Sequence, residues 1–293
     1  MKKILVIYNP IAGRRRHRRL TRLIKKEFPR QRYNLEFMTH EYFKREKKIE
    51  REWNYETIIV AGGDGTIREV ATFLLNDKHD IPLAVVPIGS ANMLAQSLGL
   101  PRNIHQALRL IHTGQKLKID VGLINGKYYF LDAFALGYVA ERIIAADSRM
   151  KTYFGFFGYL LSFFLHRKIR QLHFHFTVDG QQYDISGHSL FIVNTSRLFS
   201  LRTKRKHDLS DGKFELTVVT NKNFWSLFPA FYYYYFHHKP ARHLLVTEGS
   251  KFSIEMKGLG LPQIDGDYIV ATGSQLSIEV LPKRLTVIKA SNE

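Results

Sequence analysis

"VAGGDGTIREV", residues 60–70, decides the fold. An apolar run from Tyr55 to Val60 ends in glycines wrapped around Asp64, and a helical pattern follows from Thr66 through Val70 to Leu75. Strand, glycine turn and helix in immediate succession form the repeating unit of an α/β sheet. Working outward, "ILVIY" (4–8) and "LAVVP" (83–87) read as two more buried strands. Leu20, Leu23, Ile24 and Phe28 recur at helical spacing between Arg14 and Phe28. "ANMLAQSLGLP" reads as a helix stopped by Gly99 and Pro101, and "IHQALRLIHTG" as one ended by Gly114. Strands alternating with helices predict a parallel sheet.

Past residue 115 the texture changes. "KLKIDVGLINGKYYFLDAFA" reads as a hairpin turning at Asn125-Gly126, and "QLHFHFTVDGQQYDISGHSLFIVN" as alternating strands turning at Asp179-Gly180. "GKFELTVVT", "KFSIEMKG" and "QLSIEVLP" are further strands, and a helical interruption spans about 139–167. This half is β-rich and antiparallel, which sets a domain boundary near residue 118.

The 293 residues suit one large domain or two ordinary ones, and the 45% hydrophobic share supports a sizeable core. With no cysteine, disulfides and thiolate metal sites are excluded, and a reducing compartment fits. The apolar run in "MKKILVIYNP" is too short for a secretory leader and reads as a first strand. No stretch reaches the roughly 20 apolar residues that cross a bilayer. "YFGFFGYLLSFFL" (153–165) and "FWSLFPAFYYYYF" (224–236) come closest; each fits a core helix or a segment lying in a membrane interface.

The net charge of +18 draws the chain toward polyanions, either nucleic acid or anionic lipid. Residues 14–32 carry eight arginines and two lysines against one glutamate, and "RLFSLRTKRK" (197–206) is a second basic cluster. Each fits a solvated face or a binding surface.

Three glycine-containing turns follow three strands: "NPIAG" (9–13), "GGDGT" (62–66) and "PIGSAN" (87–92). Ligands of open α/β sheets bind beyond the carboxyl ends of the strands, so the three turns should meet at one crevice. Glycine lets backbone N–H groups approach a ligand, and a helix N-terminus favours an anion, so the ligand should be a phosphate chain. Neither standard phosphate motif is present: no GxxxxGK[ST] occurs, and "GLGLPQ" (258–263) fails GxGxxG. Asp64 would repel phosphates unless it orients a metal-bound water, takes a proton, or caps a backbone amide.

These turns resemble those of the diacylglycerol-kinase catalytic-domain lipid kinases, a family that includes soluble bacterial diacylglycerol kinases and sphingosine kinases. The family pattern is Asn-Pro-x-x-Gly, then Gly-Gly-Asp-Gly-Thr, then Pro-x-Gly-Ser/Thr-x-Asn. Here it reads Asn9-Pro10-Ile11-Ala12-Gly13, Gly62-Gly63-Asp64-Gly65-Thr66 and Pro87-Ile88-Gly89-Ser90-Ala91-Asn92. "SDGKFELTVV" (210–219) and "IDGDYI" (264–269) match two later family segments, so the resemblance covers essentially the whole chain.

The resemblance implies an α/β N-terminal domain, Rossmann-like and of the NAD-kinase/diacylglycerol-kinase type, plus a C-terminal antiparallel β-sandwich domain. The implied boundaries are 1–118 for nucleotide, 119–280 for lipid substrate, and 281–293 for a strand returning to the first domain. It assigns ATP to Asn9, Pro10, Ile11, Ala12, Gly13, Thr39, Gly62, Gly63, Asp64, Gly65, Thr66, Ile67, Arg68 and Ser90. It assigns Mg²⁺ to Asp208, Asp211 and the carbonyl of Lys213, where oxygen ligands at i, i+3 and i+5 suit a hard cation on a loop. Asp265 matches the proton acceptor of bacterial members, and Asp267 stands where they carry glutamate. Sphingosine kinases give the base role to the position of Asp64, so both candidates stay open. Met93 departs from the aspartate usual in diacylglycerol-type members.

The implied protein is a cytoplasmic, peripherally membrane-associated lipid kinase. It takes a lipid substrate at an anionic membrane surface, with no nucleic acid partner. An NAD kinase, a nucleic-acid-binding protein and a catalytically degenerate lipid-binding relative are the competing readings. Oligomeric state is not legible.

Overall fold

The computed structural model describes residues 1–10, 12, 17–46, 53–138, 140, 171–194, 208–220, 243–270 and 273–290. Ile11, Gly13, the arginines at 14–16, the helical interruption with its aromatic stretch at 153–165, the basic cluster at 197–206 and the aromatic stretch at 224–236 lie outside them. The chain forms two compact units: Met1–Ile119 with Lys283–Glu293, and Asp120–Pro282.

The first unit is an α/β layer structure. Its strands are β1 (Lys2–Tyr8), β2 (Tyr33–Thr39), β3 (Thr57–Gly62) and β4 (Leu83–Pro87). They pair in parallel in the order β2-β1-β3-β4. The helices are α1 (His17–Glu27), α2 (His40–Glu46), α3 (Asp64–Asn76), α4 (Met93–Ser97) and α5 (Ile104–Thr113). β3 and β4 are buried almost throughout, because helices covering both faces of a parallel sheet make its strands continuous apolar runs. On one face Ile4, Val6, Ile59, Ala61, Ala84 and Val86 pack against Leu20 and Ile24 of α1, Phe28 just past its end, and Leu108 of α5. Helical spacing therefore buries one stripe of α1 and leaves Arg19, Arg22, Lys25 and Lys26 exposed.

The second unit is a sandwich of antiparallel strands. After the end of β5 (Gln115–Ile124) come β6 (Tyr128–Phe130), β7 (Ala133–Gly137), β8 (Leu172–Val178), β9 (Gln181–Gly187) and β10 (Ser189–Val193). Then follow β11 (Phe214–Val219), β12 (Leu244–Gly249), β13 (Lys251–Glu255), β14 (Gln263–Ile264), β15 (Asp267–Tyr268) and β16 (Gln275–Lys289). One layer runs β12-β11-β10-β7-β14-β15 and the other β16-β13-β8-β9. Leu136, Ile192, Phe214 and Leu216 of the first pack with Phe174, Phe176, Ile254 and Ile278 of the second in one apolar core. Asn125 and Gly126, and Asp179 and Gly180, all have positive φ, as tight hairpin turns between twisted strands require.

β16 serves both units. Its first residues pair antiparallel with β13, and Val287 pairs in parallel with Leu83 of β4. Five elements go beyond the sequence reading, among them the two-residue strands β14 and β15. β2 and β12 had no clear apolar signature, and α2 is a short helix in which Phe43 is buried.

Candidate active site

In the first unit the tips of β1, β3 and β4 meet. Asn9 N–H donates to the Ala61 carbonyl at 3.0 Å, and Ile88 N–H to the Gly62 carbonyl at 3.2 Å. Asn9 Nδ2 donates to Thr66 Oγ1 at 3.4 Å, tying the first turn to the second. A Cβ on Gly62 would stand 2.6 Å from Thr66 Cβ, and one on Gly63 would stand 3.3 Å from Gly89 Cα. The glycines are thus required by close approach of backbone to backbone and of helix to strand.

The third turn is shaped by Asn92. Its Oδ1 accepts from Gly89 N–H at 2.8 Å and its Nδ2 donates to the Gly89 carbonyl at 2.7 Å. Asn92 holds φ 51°, a left-handed conformation that asparagine tolerates better than most residues.

α3 begins at Asp64, two residues earlier than the pattern from Thr66 indicated. Gly63 is its N-cap, with no side-chain capping bond. Asp64 itself is the first helical residue, and its carboxylate sits in the first turn of α3, where a negative charge is favoured. Thr39, at the end of β2, accepts from Tyr42 N–H through Oγ1 at 3.1 Å and so caps α2.

A cavity of about 310 Å³ opens beside these tips, lined by Asn9, Ala12, Leu20, Pro87, Ile88, Gly89, Ser90, Asn92, Arg102 and Ile104. Of the residues the sequence assigned to nucleotide, Asn9, Ala12 and Ser90 line it. Pro10, Thr39 and Gly62 through Arg68 are not in that lining. Leu20, Arg102 and Ile104 were missed. Arg102 follows Pro101 in a short link before α5 and carries no motif of its own, yet it brings a cation to the cavity wall.

In the second unit, Asp265 occupies the turn between β14 and β15 at φ 47°. Its Oδ2 accepts from Leu131 N–H at 2.9 Å, and its Oδ1 accepts from Asp132 N–H at 2.9 Å and Ala133 N–H at 3.0 Å. At least three of a carboxylate's roughly four acceptor positions are therefore taken by backbone, which fixes the group's orientation. Asp267 is exposed.

The loop before β11 holds Asp208, Asp211 and Lys213. Asp208 Oδ1 accepts from Ser210 N–H at 3.0 Å and from Ser210 Oγ at 2.7 Å, and Asp211 Oδ1 accepts from Lys213 N–H at 2.9 Å. The donors this loop offers are oxygens, which fit a hard cation. The loop is pinned by Asp120 of β5, which is 0% exposed. Asp120 Oδ2 accepts from Gly212 N–H at 2.6 Å, and Asp120 N–H donates to the Leu209 carbonyl at 2.7 Å. A single aspartate inside a strand gave no sign of this role.

Residues 3–124 match the model of the diacylglycerol kinase catalytic domain. A diacylglycerol kinase of Bacillus subtilis strain 168 is 27% identical over 281 residues, covering 92% of this chain and 90% of its own. One of Staphylococcus aureus strain MRSA252 is 27% identical over 233 residues, covering 77% of this chain and 73% of its own. Two solved structures from Bacillus anthracis str. Sterne cover 98% of this chain and 97% of theirs at 22% identity, with TM-scores of 0.78 and 0.73. The second is described as a diacylglycerol kinase. At that identity the likeness establishes the fold.

Proposed function

We propose that this lipid kinase, whose residues 3–124 match the diacylglycerol kinase catalytic domain, moves the γ-phosphoryl group of ATP onto the hydroxyl of a membrane lipid such as diacylglycerol or a sphingoid base, with Mg²⁺. The observation that carries this reading is the meeting of three glycine turns beside one cavity. Such tips offer backbone amides and a helix N-terminus to phosphate, the electrostatic complement a triphosphate needs.

Phosphoryl transfer depends on positioning and charge neutralisation more than on covalent chemistry. The first unit's turns would hold the phosphates, with Arg102 adding positive charge. Asp208, Asp211 and the Lys213 carbonyl would hold Mg²⁺, which when bound supplies further neutralisation. Asp265 would accept the hydroxyl proton, with Asp64 the alternative acceptor and Asp267 an exposed neighbour of the first. The carboxylate of Asp265 is held in one orientation by three amides, as a positioned acceptor needs.

We propose further that the basic face of α1 meets anionic lipid. Arg19, Arg22, Lys25 and Lys26 are exposed together, and each base near such a surface contributes about 1 kcal/mol of attraction. Among the described residues no helix is long and apolar enough to cross a membrane.

The test is incubation with γ-labelled ATP, Mg²⁺ and separate lipids. Label in an organic-soluble product supports the reading. Label confined to water-soluble products, with every lipid tried unmodified, overturns it.

A further inference from the structure

β8 alternates strictly, with Leu172, Phe174, Phe176 and Val178 buried and His173 and His175 facing out. Two histidines at i and i+2 of a strand lie on one face. The antiparallel register sets Asp184 of β9 directly opposite His175, and Ser186 opposite His173. The carboxylate of Asp184 reaches both rings: Oδ1 lies 2.5 Å from His173 Nε2, and Oδ2 lies 3.3 Å from His175 Nδ1. His173 Nδ1 contacts Ser186 Oγ at 3.0 Å, which orients that ring and leaves Nε2 toward the carboxylate.

We infer that this outer face of the β8–β9 hairpin is a binding site for a late first-row divalent cation of the Zn²⁺ class, held by His173 Nε2, His175 Nδ1 and the Asp184 carboxylate. Among the described residues these three form the one group whose ligand atoms all lie within 4.8 Å of one another. Two imidazole nitrogens with one carboxylate oxygen suit Zn²⁺, Cu²⁺ or Ni²⁺ rather than Mg²⁺ or Ca²⁺, which prefer oxygen. Zinc–ligand bonds of about 2.0–2.1 Å place tetrahedral ligand atoms roughly 3.3 Å apart. The His175–Asp184 separation already has that value, and the His173–Asp184 separation would have to lengthen from 2.5 Å. Protein supplies three ligands and leaves a fourth position to water, as exchangeable zinc sites do.

The competing account is a plain pair of His–Asp contacts guarding a sheet edge, since β9 ends its strand order. Guarding an edge needs charge alone. It does not require a second imidazole aimed at the same carboxylate, or a hydroxyl orienting the first ring. None of these residues belongs to the nucleotide or acidic-loop sets described above. Bound metal would join the edge strand to its neighbour.

The test uses the full chain, stripped with chelator and titrated with Zn²⁺ by calorimetry. One equivalent should bind at this site. His175→Ala and Asp184→Asn should each weaken that step at least about tenfold, the size that loss of an outer-shell partner alone produces. His112→Ala, at a separate His–Glu contact of 3.6 Å, should leave it unchanged. Bound Cu²⁺ should show coupling to two nitrogens in the wild-type electron paramagnetic resonance spectrum and to one in His175→Ala. Equal Zn²⁺ affinity in wild type and His175→Ala, or no saturable binding at all, overturns the assignment. Both substitutions are exposed, so matching circular dichroism melts verify that the variants fold.

Discussion

Gly89 and Gly63 face each other without room for a side chain: a Cβ on Gly89 would stand 2.5 Å from Gly63 Cα and 2.8 Å from Asn92 Oδ1. The obstruction is backbone, so it cannot rotate away. Gly89→Ala must push two turns apart, at the 1–3 kcal/mol typical of overpacking. Nucleotide affinity should fall by about 10-fold or more, measured with a fluorescent ATP analogue, while the second unit's fold is undisturbed.

Asn92 both donates to and accepts from Gly89 while holding a left-handed backbone. Asn92→Ala loses both bonds and the favourable conformation, for about 1–3 kcal/mol. Asn92→Asp keeps the acceptor and the conformation, so it should fall between wild type and Ala in thermal melts. Equal melting temperatures for the Asp and Ala variants would show that the donated bond alone matters.

Asp265→Asn removes the charge and, because its Nδ2 cannot accept, also one anchoring bond, most simply that from Leu131 N–H. If the carboxylate accepts the proton, the catalytic rate falls about 10²–10⁴-fold while ATP still binds. Asparagine tolerates the positive φ, and its Oδ1 can still accept from Asp132 and Ala133 N–H. A rate within twofold of wild type would remove Asp265 from the base role and leave Asp64 as the candidate.

Asp120→Ala leaves Gly212 N–H without its acceptor and should loosen the acidic loop, at about 1–3 kcal/mol. The Mg²⁺ concentration for half-maximal activity should rise. An unchanged Mg²⁺ dependence would count against the loop as the cation site.

His188, buried at the β9–β10 junction, has its imidazole pushed down to about 4 by burial. Below its unfolded value near 6.5 the unfolded chain binds the extra proton, so the stabilising contribution is present above 6.5 and is lost as pH falls toward 4. Between pH 7 and pH 5 the wild type should lose about 2 kcal/mol that His188→Gln does not, read by urea unfolding at each pH.

The parts written in local chemistry were legible. Val60 to Val70 announced β3 and α3, and Asn125-Gly126 and Asp179-Gly180 announced hairpins, because turns with positive φ select few residue types. β2 was not legible, since Met38 is its one fully buried residue and its apolar signal is thin. Residues of the first and third glycine turns line the cavity, but Leu20 and Arg102 reach it through tertiary packing that no spacing encodes. "QLHFHFTV" showed the alternation of a strand, yet register alone, set across the Asp179-Gly180 turn, brings Asp184 to His173 and His175.

β16 has a consequence for synthesis on the ribosome. The first unit's core includes Ile288, Thr286 Oγ1 donates to Asp80 Oδ1 at 2.6 Å, and Ala290 N–H donates to the Leu98 carbonyl at 3.1 Å. The opening 119 residues emerge first but lack these partners until residue 290 has been translated. Until then β4 presents an open border to other nascent chains, a hazard for which chaperones are suited.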